Sequence, residues 1–403
     1  MAGWIDEFLL NACLLLAVSA VILWVLFGHD EKCYAAPQGL PPAGLTPAEL
    51  GFALDGDVSF NDVVSLLPDW AERGLVKFDV ADNGQWHIVR LNEPGADAAE
   101  YEQYLFSRLF ERKDSVAAHH LAIGFRSAMN RTRRLVVRHL TKVRPLFTAI
   151  SIALKRVFVV LTALPVLSVL VLALYRGMGQ IPSAVIGTAI LGTIVLIPVF
   201  GLANLLNRWR GERRSQRRDA LLRLLGVIVL VSLGYLFYAY DALLPVLAPV
   251  AAASTLLCGI ASAFMGKRTE DGLELQCAAE CLRQFILTAG QDELLRHQQE
   301  NPRYFYQVLP YAYMLGLSAR WASMFEGILE AKPRWLSEYE TYDGEISPIA
   351  MVRSLNRQMS DYLVCMTMVS GRRGAVGSGA GMSGGGGGGF SGGGGGGGGG
   401  GSW

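Results

Sequence analysis

Five apolar runs alternate with polar stretches along the chain, and this alternation predicts a polytopic membrane protein. Each run holds about 20 residues with almost no charge, which lets one helix cross a bilayer core of ~30 Å. The predicted spans are 8–27, 157–175, 183–206, 224–240 and 242–264. Composition agrees, because 51% of the residues are hydrophobic and only 18% are charged, which is typical of a membrane protein.

Basic residues cluster beside the apolar runs, although the net charge of the whole chain is only +1. The clusters lie within 126–156, within 207–223 and at 267–268. Lys and Arg near span ends resist translocation, so all three clusters predict a cytoplasmic position. These positions predict a multi-pass protein of the bacterial inner membrane, with its N-terminus outside and its C-terminus in the cytoplasm.

The amino-terminal run has two interpretations, an uncleaved anchor or a cleaved signal peptide. A signal peptide begins with basic residues, whereas this chain carries Asp6 and Glu7 before its first run. The sequence therefore favours the anchor.

A small α+β module with the element order of a winged helix is predicted between the first span and position 97. Thr46 is placed to cap a helix that begins at Pro47, and 62–72 forms a second helical pattern that Pro68 is expected to kink. Strands at 75–80 and 86–91 flank a turn. The second helix carries more acidic than basic residues, so we expect no nucleic-acid partner and favour protein contact.

The next segment is predicted as two helices, 98–112 and 116–140, which end in a basic run before the second span. The run either anchors the topology or lies on anionic lipid of the cytoplasmic leaflet, where each basic residue adds ~1 kcal/mol. Basic candidates for contact with lipid or partners come from this run and from the loop at 207–223: they are Arg131, Arg133, Arg134, Arg138, Arg208, Arg210, Arg213, Arg214, Arg217 and Arg218.

Two further segments follow the apolar block. The stretch 266–370 predicts a cytosolic helical region rich in aromatic residues, which forms a packed core or a docking surface with Trp321 as a candidate contact. The stretch 371–403 is dominated by glycine and is predicted to be disordered. Its final Trp403 is a second candidate contact, and a plain spacer is the alternative.

Catalytic chemistry is not indicated by any motif. The chain has no nucleotide-binding loop, no HExxH, no GxSxG outside the glycine-rich end and no convincing acid–base pair, so we predict a non-enzymatic protein without cofactor or metal. Six cysteines in apolar or cytoplasmic positions predict reduced thiols. A scaffold or adaptor is the leading function. A transporter or channel subunit is the alternative, and a membrane peptidase ranks third.

Several stretches resemble the YciQ-like family of predicted bacterial membrane proteins (domain of unknown function 2207). They are Gly28-His29-Asp30, where the family has Gly-Arg-Asp, then Leu45-Thr46-Pro47-Ala48-Glu49, Trp70-Ala71 with Arg73-Gly74, Leu309-Pro310-Tyr311-Ala312, and the glycine-rich end. The resemblance implies no enzymatic activity and no site residues. It implies an extracytoplasmic domain before the first span, so we expect a shortened member or a partner chain that supplies this domain.

The predicted fold is mainly α, with about five spans, one winged-helix-like module, one cytosolic helical region and a disordered tail. The division is a transmembrane anchor at 1–28, the winged-helix-like module at 29–97, amphipathic basic helices at 98–156, a four-span block at 157–265, the helical domain at 266–370 and the tail at 371–403. Unknown protein partners and anionic lipids are the expected ligands.

Overall fold

The architecture is known from a computed structural model, which describes residues 2–28, 36–80, 86–121, 124–178, 246–339 and 346–368, with the single positions 186, 189, 192 and 344. The predicted fold class is confirmed in its coarse form: most of this part of the chain is helical, and its sheet is small and three-stranded. The helices divide into an apolar bundle and a polar-surfaced body, which we call the head.

The apolar bundle contains α1 (Ala2–Phe27), α7 (Ala149–Leu161), α8 (Leu164–Met178) and α9 (Leu247–Phe264). Two stretches are long and apolar enough to cross a membrane, Trp4–Phe27 and Ala149–Arg176, and Leu247–Ser262 is a shorter apolar helix. The five-span prediction is therefore not confirmed. Its third span lies almost entirely outside the described residues and its fourth wholly outside them, while α9 begins later than the predicted fifth span.

Packing within the bundle gives the relative direction of its helices. The first half of α1, around Cys13, packs against Val169 of α8 and Ala251 of α9. Its second half, around Ala20, packs against α7 and the end of α9. Hence α1 and α9 run in parallel, and α7–α8 run the opposite way. Small side chains let these backbones approach closely, and Ser254 Oγ donates a hydrogen bond of 3.0 Å to the Cys13 carbonyl.

Local sequence signals shape the first part of the head, which contains α2 (Pro47–Asp55), α3 (Phe60–Val64) and α4 (Leu66–Glu72). Thr46 and Glu49 form the capping box at the start of α2. The predicted second helix is divided at Ser65, and Pro68 sits in the first turn of α4. The interruption predicted at Pro68 is therefore present as a break between α3 and α4, three residues before the proline.

The sheet has the order β1-β2-β3 and is antiparallel throughout. Its strands are β1 (Val76–Val80), β2 (Trp86–Arg90) and β3 (Ser115–Ala117), and α5 (Glu100–Leu109) lies between β2 and β3. The antiparallel pairing of the two predicted strands is confirmed, but the predicted start of the next helix, at position 116, is wrong. Val116 pairs with Ile88, and helix α6 (Phe125–Val143) begins only after Gly124, whose φ of +80° favours glycine.

The carboxy-terminal helices complete the head. They are α10 (Glu270–Thr288), α11 (Gln291–Glu300), α12 (Tyr304–Met314), α13 (Ser318–Met324) and α14 (Pro348–Thr367), and 3₁₀ turns occupy Ala118–Leu121 and Ser337–Tyr339. One continuous hydrophobic core joins them to α2–α6 and the sheet. For example, Phe78 N–H of β1 donates to the Trp335 carbonyl at 2.7 Å. The head is thus built from chain on both sides of the apolar block.

Two short segments, residues 144–148 and 265–269, connect the head to the bundle on the two sides of the apolar block. We call these two segments the neck. The Thr148 amide donates to the Lys267 carbonyl at 3.0 Å, and the Thr269 amide donates to the Leu146 carbonyl at 3.1 Å. The buried Arg268 guanidinium donates to the carbonyls of Ala53 and Leu54, which are at the end of α2. The neck is therefore fastened both to itself and to the head.

Replacement of Arg268 by alanine should destabilise the head by about 2–4 kcal/mol, because two buried carbonyls lose a charged donor. The measurement is thermal unfolding of the full chain in detergent. The neighbouring exposed Lys267 provides the control, since Lys267→Ala should cost less than about 0.5 kcal/mol. Equal unfolding midpoints for the two variants would contradict the role of the buried guanidinium.

Candidate functional site

A row of four basic side chains follows the exposed face of α6. Arg131, Arg134, Arg138 and Lys142 are spaced three to four residues apart, so they lie on one side of the helix, and all four are exposed. The opposite side buries apolar residues such as Met129 and Val136 in the head core. We call these four residues the basic row. Lys142 was not among the predicted contacts, although its spacing from Arg138 signals the same face.

Arg133 belongs to α6 but not to the basic row. It donates hydrogen bonds to the Val58 carbonyl and to the Asp57 carboxylate, and its guanidinium lies 4.8 Å from the ring centre of Phe60. Its side chain is only 21% exposed. Of the four arginines predicted in this helix, Arg133 therefore fixes α6 to the loop between α2 and α3, and the other three face solvent.

The basic row ends close to the apolar bundle. Only the five residues 144–148 separate α6 from α7, and they reach at most about 17 Å when extended. Arg144, Arg156 and Lys267 are also exposed at this end of the bundle. At the other end, Arg176 forms an ion pair of 2.7 Å with Asp6, so that end gains little net charge. The bundle is thus basic on the side of the head.

A buried polar network lies between α4 and α5. The Glu102 carboxylate accepts hydrogen bonds from Trp70 Nε1 at 2.9 Å and from Arg73 Nη1 at 2.6 Å. Burial raises the pKa of Asp69 to about 6, although its contact with Arg73 opposes this shift. The same cause, burial, raises the pKa of Asp62 to about 7, against the hydrogen bonds from Ser59. Each described acid of this network has a structural partner, which indicates a role in stability.

Helix α4 occupies the position of the recognition helix in a winged helix, yet it is not a free surface. Residues 66–71 are all buried, and α4 packs against α12 of the carboxy-terminal region. The element order predicted from the sequence is present, but this helix contacts the rest of the head. At helix α4, the protein surface that the module contacts is therefore α12 of the same chain.

The remaining predicted contacts have different outcomes. Trp321 is fully buried, and its Nε1 donates to the Phe305 carbonyl at 3.0 Å, so its predicted contact with a partner is wrong. Rings of Tyr304 and Phe325 surround it, which supports the alternative of a packed core. The predicted contacts Arg208, Arg210, Arg213, Arg214, Arg217, Arg218 and Trp403 lie outside the described residues.

The cysteines differ from expectation at one position. Cys13, Cys258, Cys281 and Cys365 are free thiols, but Cys277 is disulfide-bonded, so the prediction of reduced thiols is wrong there. Among the residues that the structure describes, no group of three or more His, Cys, Asp or Glu side chains is arranged to hold a metal ion.

A polar-surfaced head on a bundle of long apolar helices defines a class, the helical membrane proteins. Comparison with protein families agrees: the family described as the C-terminal domain of a predicted membrane protein (DUF2207) matches residues 36–217 and 209–325, well over half of the chain. The chain belongs to this family of unknown function. No curated protein and no solved structure matches it.

Replacement of Arg133 by alanine should lower the stability of the head by about 1–2 kcal/mol, because its hydrogen bonds and its contact with Phe60 are lost. Arg134→Ala, one residue further on, should change stability by less than about 0.5 kcal/mol. Chemical unfolding of the full chain followed by circular dichroism compares the two. A larger loss for Arg134→Ala would show that the roles assigned to these neighbours are reversed.

Proposed function

We propose that the protein is a non-enzymatic scaffold of the bacterial inner membrane, with its head held on the cytoplasmic leaflet. The family and the long apolar helices support a membrane location. The scaffold role rests on the basic row of α6, which is the observation that carries the proposal. It has four exposed positive charges on one helix face and ends at Lys142, close to the point where the chain enters the bundle.

The orientation follows from the distribution of basic residues over the two ends of the bundle. Arg144, Arg156 and Lys267 lie at the end nearest the head, and basic residues near span ends remain in the cytoplasm. The far end carries the Asp6–Arg176 ion pair, in which the positive charge is neutralised. This difference favours a cytoplasmic head in a multi-pass protein with its N-terminus outside.

Lipid binding by the basic row would orient the head on the membrane. The cytoplasmic leaflet is anionic, and a basic residue near its surface gains ~1 kcal/mol. Because α6 is part of the head core, contact between its exposed side and lipid holds the whole head in one orientation. Other head surfaces then stay accessible to cytoplasmic protein partners, while a chain that carries the extracytoplasmic domain implied by the family resemblance would meet the protein on the opposite side of the membrane.

Neutralisation of the basic row should reduce retention of anionic lipid. The variant combines Arg131→Gln, Arg134→Gln, Arg138→Gln and Lys142→Gln. In nanodiscs that mix phosphatidylcholine with phosphatidylglycerol, native mass spectrometry should count fewer phosphatidylglycerol molecules on the variant than on the wild type, since ~1 kcal/mol per residue is lost.

A matched control removes the same number of exposed charges elsewhere on the head. It combines Arg112→Gln, Lys113→Gln, Arg353→Gln and Arg357→Gln, all of which replace exposed side chains. This control should retain phosphatidylglycerol at the wild-type level. Equal losses in both variants, or no loss in the first, would contradict lipid binding by the basic row.

The proposed orientation predicts the compartment of the head directly. Green fluorescent protein inserted at Gly95, in the exposed loop between β2 and α5, should fluoresce in living cells because the head is cytoplasmic. Alkaline phosphatase at the same position should be inactive. The opposite pattern, active phosphatase without fluorescence, would overturn the topology and with it the lipid contact.

A further inference from the structure

The head contains a solvent-open cavity of about 260 Å³, on the side where α4 ends and β1 begins. Pockets for drug-sized ligands hold about 300–1,000 Å³, so this cavity suits a smaller molecule. Its lining combines charged and apolar side chains with one glycine: Ala71, Glu72, Arg73, Gly74, Val76, Leu91, Arg303, Arg334 and Trp335.

Three arginines and one acidic residue line the cavity, and the acid is already engaged. Glu72 Oε1 accepts from Arg303 Nε at 3.0 Å, and Glu72 Oε2 accepts from Trp335 Nε1 at 3.2 Å. Arg303 Nη2 also donates to the Glu72 backbone carbonyl at 3.1 Å. These contacts hold the Arg303 guanidinium at the cavity wall, where its other N–H groups remain available to a ligand.

The other two arginines differ in how they are held. Arg73 uses Nη1 for both Glu102 and Asp69, which fixes its guanidinium while its side chain stays 39% exposed. Arg334 is exposed and makes no ion pair within the described part of the chain. A cavity with two positioned guanidinium groups and one exposed arginine at its rim is suited to an anion, because planar N–H pairs match the oxygens of carboxylate and phosphate.

We propose that this cavity binds a small soluble molecule that carries a phosphate or carboxylate group. The three arginines receive the anionic group, and the half-exposed Leu91 contacts the organic part. The cavity shares no residue with the basic row on α6. An experiment can therefore reject this proposed anion site without rejecting the proposed scaffold function.

Contacts between aromatic rings place the cavity residue Arg303 near the far end of α10. Helix α10 starts at the neck and extends over 19 residues, about 28 Å. Near its far end, the Phe285 ring lies 5.9 Å from the ring of His297, which stacks on Tyr304 at 4.7 Å. Arg303 immediately precedes Tyr304. Arg303 and the cavity that it lines are thus near the end of α10 that is remote from the neck.

Phenyl phosphate is a suitable probe, because it combines a dianionic group with a small ring. The full chain is placed in nanodiscs of phosphatidylcholine alone, which excludes anionic lipid as a competitor. Saturation-transfer NMR should show saturable binding of phenyl phosphate, with competition by benzoate if the site accepts both anions. Absence of saturable binding in the wild type would overturn the proposal.

Leu91 is suitable for testing how a negative charge in the cavity affects binding. This lining residue is 51% exposed, so its substitution does not disturb the hydrophobic core. Leu91→Glu places a negative charge in the cavity and should bind at least about tenfold more weakly than the similarly sized Leu91→Gln, which loses the same apolar contact without adding charge. Arg334→Gln should also weaken binding, and the exposed Arg357→Gln should not. Equal affinity of Leu91→Glu and Leu91→Gln would refute the anion site, and circular dichroism verifies that both variants are folded.

Discussion

The buried guanidinium of Arg268 is the interaction on which the arrangement of this protein depends. The chain leaves the head after α6 and returns to it before α10, so two distant segments must meet at one place. Arg268 joins them, because it sits on the returning segment, packs against Phe147 of the departing one and donates to the end of α2. A buried cation without these carbonyls would be costly, which makes the neck specific. The two halves of the head share a core as a result.

Because of this shared core, the winged-helix-like elements do not present the open surface that their order suggests. In an isolated module, α4 would present an open face to a ligand. Here it is covered by α12, and the edge strand β1 is covered by the backbone around Trp335. A familiar order of elements therefore does not by itself carry a familiar function. Within the described residues, two surfaces remain as candidates for function, the exposed face of α6 and the cavity beyond the end of α4.

These two surfaces differ in place and in chemistry. The basic row has four exposed charges on one helix face near the bundle, and it suits a broad anionic surface. The cavity has arginines that acidic neighbours hold in position, with apolar side chains beside them, and it suits a discrete small anion. The basic row ends near the neck, whereas the cavity lies near the far end of α10.

Short-range signals in the sequence determined the apolar helices α1 and α7–α8, the capping box at Thr46, the hairpin of β1 and β2, and the basic character of α6. Each depends on residues a few positions apart. Tertiary structure alone decided that 115–117 is a strand, that Trp321 is buried, and that Arg133 binds the head while Arg134 faces solvent. These outcomes depend on partners far away in sequence, such as Ile88, Phe305 and Asp57, and no local pattern encodes their proximity. The cavity arginines, at 73, 303 and 334, are likewise brought together only by the shared core.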